Sequence, residues 1–235
     1  MTPLRIAIIG HGKMGKAVAA LAQQRGHQVH TVVGRLENAG GKALTLERLR
    51  GADVAVEFTR PDAVVVNLER LIELGIPTVT GTTGWAEELP RIQAMVQQRG
   101  GALLHAANFS VGVHLFFRAA RALAECLRGH AEFAVSIHEE HPTSKLDAPS
   151  GTALLLQRQL WAVEPSRRFP ITSIRAGESP GTHTLTYDAP HETVTLRHVS
   201  RSREVFAGGA LAAAEWLPGH QGMFTFDDML FEGRV

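Results

Sequence analysis

The chain has 235 residues, with 24 Lys+Arg against 23 Asp+Glu, 12 His, a single Cys and 44% hydrophobic residues. So even a charge balance offers no global attraction to nucleic acid or to an anionic membrane, and the lone Cys126 excludes an internal disulfide framework and any Cys-rich metal site. The composition is that of a globular protein long enough for one large domain or two small ones, and its one oddity is that only four basic residues are lysines: Lys13, Lys16, Lys42 and Lys145.

No apolar run approaches the roughly 20 residues that a membrane span requires. The stretch Ile6–Ile9 is short and ends in glycine, and the Ala17-Val-Ala19 triplet follows a polar, Gly- and Lys-rich turn where a signal peptide has an apolar segment. A cytoplasmic protein without a membrane partner is the expectation.

Leu4–Ile9 is a nearly continuous apolar, β-rich run, as in a strand buried on both faces. Lys13–Arg25 carries Met14, Ala17, Val18 and Leu21 at helical spacing. Strands are expected at Gln28–Val33, Asp53–Glu57, Ile76–Thr80 and Ala102–His105, with helices at Pro61–Leu74 and Ala86–Gln98. Such alternation implies a parallel sheet wrapped by helices. After residue 108 the pattern changes. His114–Leu127 reads as a helix and Glu132–Ile137 as a strand. A polar loop, His141–Pro149, precedes a helix at Gly151–Trp161. Thr182–Tyr187 and Glu192–Val199 alternate polar and apolar around Asp188–His191, the mark of a half-exposed hairpin. Gly208–Trp216 is an Ala-rich helix. The fold class is α/β: a Rossmann-like parallel-sheet domain plus an α+β domain.

Gly10-His-Gly12-Lys-Met-Gly15 fits G-x-G-x-x-G between the first strand and the first helix. In a dinucleotide turn, Gly10 makes the tight bend, Gly12 admits the pyrophosphate to the main chain, and Gly15 allows close helix–strand packing. The N–H groups of the helix start, at Lys13 and Met14, then serve the phosphates. An acid at the end of the second strand would bind the ribose 2′-OH of NADH, and an Arg the 2′-phosphate of NADPH. Val33-Gly34-Arg35, with no acid before Glu37, leans towards NADPH and leaves NADH open. Two further loops follow strand C-termini, where open α/β sheets bind ligands: Phe58-Thr59-Arg60-Pro61 and Gly81-Thr82-Thr83-Gly84-Trp85.

The densest polar cluster is His138-Glu-Glu-His141-Pro-Thr-Ser-Lys145-Leu-Asp147-Ala-Pro-Ser150-Gly151-Thr152. Ser150, Gly151 and Thr152 open a helix, where hydroxyls and free N–H groups suit a carboxylate or phosphate. His141 and Lys145 add an imidazole and a point positive charge. Zinc is not expected: His138 and His141 are at i and i+3 on a strand end and so point to opposite faces, unlike the i, i+4 pair of H-E-x-x-H.

These residues carry a resemblance. GHGKMG, EFTRP at 57–61, GTTGW at 81–85, AANFSVGV at 106–113, the E-x-H-x-x-x-K-x-DAPSGTA block at 139–153 and SREVFAGGAL at 202–211 resemble the 4-hydroxy-tetrahydrodipicolinate (dihydrodipicolinate) reductase family of lysine and diaminopimelate biosynthesis. The resemblance implies NAD(P)H-dependent reduction of a small cyclic dicarboxylate. It places His141 and Lys145 in proton transfer and substrate binding, and Ser150, Gly151 and Thr152 on a substrate carboxylate. It puts the nicotinamide near Gly81, Thr82, Thr83 and the segment Ala107-Asn108-Phe109; Phe58 joins this cofactor cleft by its place in a loop on the same rim. It further implies a homotetramer built through the second domain's sheet, and a division into residues 1–108 with 215–235 and residues 109–214. His198 and Arg203 match late family positions. The chain departs from the family pattern at Pro142, where a second histidine is usual, and at Gly181-Thr-His183, where G-E-H is usual. Two other readings fit the glycine turn: a different imino- or amino-acid dehydrogenase, and a non-catalytic nicotinamide-binding module, which Pro142 alone favours.

Overall fold

The computed structural model describes residues 2–178, 181–202 and 204–232. It divides into two compact units, Met1–Ser110 with Glu204–Val235, and Val111–Arg203.

The first unit is built on a six-stranded sheet in which every neighbouring pair is parallel. Its strands are β1 (Arg5–Ile9), β2 (Gln28–Val33), β3 (Val54–Glu57), β4 (Thr78–Thr80), β5 (Ala102–His105) and β10 (Gly222–Thr225), in the spatial order β10-β5-β4-β3-β1-β2. Alternate residues of β1 feed opposite layers. Ile6 and Ile8 pack with α1 (Lys13–Gln24) and α7 (Glu204–Trp216), whereas Ala7 and Ile9 pack with Leu44, with Leu49 of the short α2 (Leu46–Leu49) and with Leu71 on the other side. Beside them, α3 (Pro61–Glu73) and α4 (Leu89–Arg99) cover the β4–β5 region through Val64, Leu68, Ile92 and Val96. The helix expected over 86–98 begins as a 3-10 turn, Ala86–Glu88, and becomes α-helical at Leu89, with Pro90 in its first turn, where a missing N–H costs little.

The chain returns to the first unit at Glu204, ahead of the expected 215. The reason is the helix α7, which also starts earlier than Gly208. Ala207, Gly209, Ala210, Leu211, Ala213 and Ala214 are all buried. Small apolar residues on so much of a helix suit one sandwiched between a sheet and a neighbouring helix, here α1. Two elements of this return were not legible in advance: β10, and α8 (Phe226–Phe231), whose Thr225/Asp228 capping box closes its start.

The second unit holds a four-stranded sheet, order β7-β6-β8-β9. Strand β6 (Ala134–His141) pairs parallel with β7 (Ile171–Arg175) and antiparallel with β8 (Gly181–Ala189), which forms the expected hairpin with β9 (Glu192–Ser200). Helices α5 (Val111–Cys126) and α6 (Gly151–Val163) supply Val113, Phe116, Phe117, Leu156 and Leu160 to a core with Ile137, Leu185 and Tyr187. Strand β6 runs four residues beyond its expected end at Ile137, and it does so in phase. Val135, Ile137, Glu139 and His141 are all buried, so the period of two continues while the side chains change from apolar to ionisable. No described helix is long and apolar enough to cross a membrane.

Within the first unit, a Cβ at Gly209 would overlap the carbonyl oxygen of Phe109. That oxygen is backbone, which cannot swing aside. Gly209→Ala is expected to lower the unit's stability by about 2 kcal/mol or more, read as a drop in the urea midpoint; an unchanged midpoint would show that the approach is not tight.

Candidate active site

The first unit gathers its candidate residues on the rim formed by strand C-termini. Gly10 follows β1, Phe58 follows β3, Gly81 follows β4 and Ala107 comes shortly after β5. Backbone bonds carry the strand register into these loops: Gly10 N–H to Val33 O (2.9 Å), Phe58 N–H to Ile9 O (2.8 Å), Gly81 N–H to Glu57 O (3.0 Å) and Ala106 N–H to Thr80 O (3.1 Å). Gly10, at φ +104°, turns where a Cβ would strike Phe58 O, and a Cβ on Gly15 would strike Gly10 O. Gly12 differs: among the described residues a Cβ there would meet nothing within 4 Å, so its main chain is open to an incoming group. Helix α1 starts at Lys13 with no side-chain cap and no acid in its first turn, leaving N–H donors and dipole for phosphate. A cavity of about 490 Å³ lies beside this turn, lined by Gly10, Gly12, Arg35, Asn38, Phe58 and Arg60 among others. These features fit a dinucleotide.

The acid that could oppose a 2′-phosphate is engaged elsewhere. Glu37 accepts two bonds from Arg48, at 2.8 and 3.1 Å, and one from Gly34 N–H at 2.7 Å. The Arg48 hydrogen bonds and the Gly34 N–H hold its carboxyl below the ordinary range. Arg35 is exposed and lines the cavity.

Beneath the rim lies a residue that sequence reasoning passed over. Glu57, fully buried at the end of β3, accepts from Thr80 Oγ1 (2.6 Å), from Thr59 Oγ1 and from Asn67 Nδ2 (3.4 Å), and is also hydrogen-bonded to the Thr82 side chain. Burial raises its pKa against the pull of these donors. Thr82 Oγ1 also accepts from Thr59 N–H at 2.7 Å. Farther along, Phe109 is buried with its ring edge-on to Phe58 and Phe226, and Asn108 Oδ1 accepts Ser110 N–H at 2.7 Å.

In the second unit, β6 carries Glu139 and His141 to the start of α6. Ser150 caps that helix, accepting Ala153 N–H at 3.2 Å, while its own N–H reaches Glu139 Oε1 at 3.3 Å. The first N–H groups of α6, including those of Gly151 and Thr152, have no intrahelical acceptor. Besides the Ser150 N–H, three side chains hold the buried Glu139: His141 Nδ1 on one oxygen, Arg175 Nη2 at 2.8 Å on the other, and the Ser173 hydroxyl. Burial alone would push this carboxyl up; Arg175, Ser173 and His141 outweigh it and hold it at about 2. An ionised Glu139 takes the Nδ1–H of His141 and so leaves Nε2 as the free ring nitrogen. That nitrogen faces Gly181, at φ +145°, where a Cβ would come within 2.8 Å of it. Burial lowers the His141 pKa, reinforced by Lys145 and Arg175 and opposed by Glu139.

His183, across the sheet from Glu139, completes the cluster. Its Nε2 lies 3.2 Å from Ser150 Oγ, its ring sits edge-on to His141 at 5.1 Å, and its buried Nδ1 has no partner among the described residues. Burial, with His141 close by, brings its pKa down to about 4. Lys145 stands on the loop after β6, its Nζ 2.9 Å from Asp147 Oδ1 and its N–H on Pro142 O at 3.0 Å.

Sequence reasoning therefore named His141, Lys145 and the Ser150–Thr152 start, but missed Glu139 as a partner, Arg175 and His183. A signal existed in Glu139 and His141, which continue the phase of Val135 and Ile137. His138, set aside as a ligand, is exposed while His141 is buried. A different trio, Glu139, His141 and His183, places donor atoms within 4.8 Å of one another, with Arg175 Nη2 2.8 Å from the same carboxylate. His198, also buried in part, lies opposite His183 in the β8–β9 register, and Arg203 falls outside the described residues.

Comparison with known proteins gives the following. The family profile described as dihydrodipicolinate reductase, N-terminus, matches residues 4–109, and that described as dihydrodipicolinate reductase, C-terminus, matches residues 112–230. A 4-hydroxy-tetrahydrodipicolinate reductase from Christiangramia forsetii is 33% identical over 239 aligned residues, covering 97% of this chain and 98% of its own. One from Neisseria meningitidis serogroup C is 32% identical over 270 aligned residues, covering 98% of both chains. A dipicolinate-bound dihydrodipicolinate reductase from Paenisporosarcina sp. TG-14 shares the fold at a TM-score of 0.82 and 22% identity, covering 97% of this chain and 100% of that one.

The buried histidine carries a pH consequence. With His183 at about 4 in the folded state against an ordinary 6.5, the unfolded chain takes up the proton first. Its contribution is complete above about pH 6.5 and is lost as pH falls towards 4, a change on the order of 3 kcal/mol. His183→Gln is expected to flatten the decline of stability over this window in urea unfolding at stepped pH; an unaltered slope would contradict the assignment.

Proposed function

The chain belongs to the dihydrodipicolinate reductase family, an NAD(P)H-dependent oxidoreductase of lysine and diaminopimelate biosynthesis, and we propose that Lys145 and His141 serve proton transfer while Ser150, Gly151 and Thr152 hold a substrate carboxylate. One observation carries the assignment: β6 delivers Glu139 and His141 to the capped start of α6, and the bond from Ser150 N–H to Glu139 ties the two together. The dipicolinate in the Paenisporosarcina relative supports a small cyclic dicarboxylate as the substrate.

The nicotinamide, when bound, supplies the hydride. The protein must place the acceptor and neutralise the negative charge that develops on the ring-nitrogen side. Lys145 meets that need as a compact cation with rotatable donors. Its partner Asp147 is exposed, so the ammonium can exchange one carboxylate for another at little cost. His141, with its pKa lowered by burial, is mostly neutral at pH 7, its Nδ1–H on Glu139. It acts as an acid only in its protonated form, which leaves Lys145 as the main donor.

The cofactor residues of this reading are Gly10, Gly12, Lys13, Met14, Gly15, Arg35, Phe58, Gly81, Thr82, Thr83, Ala107, Asn108 and Phe109. NADPH is favoured over NADH, because Arg48 and Gly34 occupy Glu37 while Arg35 lines the cavity. The sheet of the second unit exposes Val199 and Ile174, and with the family resemblance this supports a homotetramer joined through that sheet. Composition and the short described helices support a cytoplasmic setting.

Lys145→Ala and His141→Ala test the site. In at least one, and more in Lys145→Ala, kcat is expected to fall by about 100-fold or more with dinucleotide affinity little changed; near-normal kcat in both would sink the assignment. For cofactor choice, Arg35→Ala is expected to raise KM for NADPH more than KM for NADH, and equal effects would remove Arg35 from the 2′-phosphate.

A further inference from the structure

We propose that Glu57 is a positioning residue for the dinucleotide: one buried carboxylate that fixes the loops after β3 and β4, and the segment after β2, in a single arrangement. The proposal rests on the cofactor reading above and extends it to a residue that touches no ligand.

The geometry is specific. Glu57 is fully buried, yet no cation neutralises it among the described residues; hydroxyls and an amide satisfy it instead. One oxygen takes the Thr80 hydroxyl, at 2.6 Å, and the other takes Thr59 Oγ1 and Asn67 Nδ2. Thr82 donates to the same carboxylate and at once accepts Thr59 N–H at 2.7 Å, so its hydroxyl bridges the β3 loop and the β4 loop. Asn67 also contacts Thr59 Oγ1 at 3.3 Å and accepts from Asn38 Nδ2 at 2.8 Å. Asn38 Oδ1 in turn accepts Ala43 N–H at 3.2 Å, which pins the segment whose residues Ala39, Gly40 and Gly41 line the cavity. The chain of bonds thus runs from the Gly81-Thr82 loop to the far wall of the cavity, with Glu57 at its centre.

An unpaired buried carboxylate is a costly way to stabilise a sheet; an apolar side chain of similar volume there is often neutral or better. What the carboxylate supplies is directional. It orients several donors on separate loops, and it fixes them before a ligand arrives. The placement also accounts for Gly81, where a Cβ would overlap the Phe58 ring: the two loops are drawn too close for a side chain between them.

The test uses the full chain with Glu57→Gln, Glu57→Asp and Thr80→Val. Thr80 is buried and contributes a hydroxyl to Glu57 without belonging to the cofactor set. NADPH and NADH dissociation constants are read by fluorescence, with circular dichroism and thermal midpoint as the check on folding. Glu57→Gln is expected to weaken both dinucleotides by a similar factor, about ten-fold, in contrast to the selective effect of Arg35→Ala. Thr80→Val should give a smaller loss of the same kind, and Glu57→Asp a partial recovery. Folded variants that bind both dinucleotides as the wild type does, whatever their midpoint, overturn the proposal. If Glu57→Gln does not fold, Thr80→Val decides alone. A wild type that binds neither dinucleotide sinks the cofactor reading and this inference with it, and is told apart by that control.

Discussion

The ion pair between Arg175 and Glu139 is the interaction on which the polar cluster of the second unit depends. Burial pushes this carboxyl towards its protonated form, and a protonated Glu139 would lose its hold on the His141 ring. Arg175 opposes this from a strand far off in sequence, its guanidinium also reaching Asp147 O on the loop that carries Lys145. One cation therefore fixes the charge of Glu139, the orientation of His141 through Glu139, and one end of the Lys145 loop. Such a pair adds little net stability, because desolvation offsets most of its attraction; its effect is to select one arrangement among several.

The two units solve the same physical problem in different ways. Each buries a glutamate at or near the C-terminal end of a strand, and each uses it to order the loops around a candidate site. In the second unit the charge is met by a guanidinium, and the carboxyl stays strongly acidic. In the first it is met by neutral donors, and burial drives the carboxyl the other way. The difference suits the groups each site would receive. A phosphorylated dinucleotide is anionic, and a rim ordered by hydroxyls leaves the free N–H donors of α1 and the exposed Arg35 to meet it. A dicarboxylate needs positive charge, and the second unit keeps Arg175 and Lys145 within reach of its histidines' electrostatic influence.

Much of this was legible in the chain. The glycine turn, the alternation that gives the parallel sheet, the hairpin and the Ser150 start of α6 follow from local rules of period, turn and cap, and the structure has them. Less visible were features that depend on register between distant strands. His183 meets Glu139 because β8 pairs antiparallel with β6, and Ser173 and Arg175 are brought alongside because β7 pairs parallel with it. No window of sequence contains those pairings. The strand ends were lost for a related reason: Glu139 and His141 occupy inward positions with polar side chains, so a hydrophobic pattern stops at Ile137 while the backbone continues. β7, β10 and α8, at five, four and six residues, are too short to register by periodicity. Functional polarity and weak local signal fall at the same places because a site is where a sequence gives up the most favourable packing.

The discontinuity of the first unit has a consequence for the order in which the protein is made. Its central helix α7, its edge strand β10 and its closing helix α8 are all synthesised after the second unit, which is one unbroken segment. The bond from His27 to Glu215 (2.9 Å) and the pairing of β5 with β10 can form only after the whole of the second unit has been made. Until then β5 is an open strand edge, and the apolar faces of α1 and the sheet lack their cover. The nascent chain thus passes through an interval in which the inserted unit can be whole while the older sequence around it is unfinished, and the span of 111–203 sets how long that interval lasts.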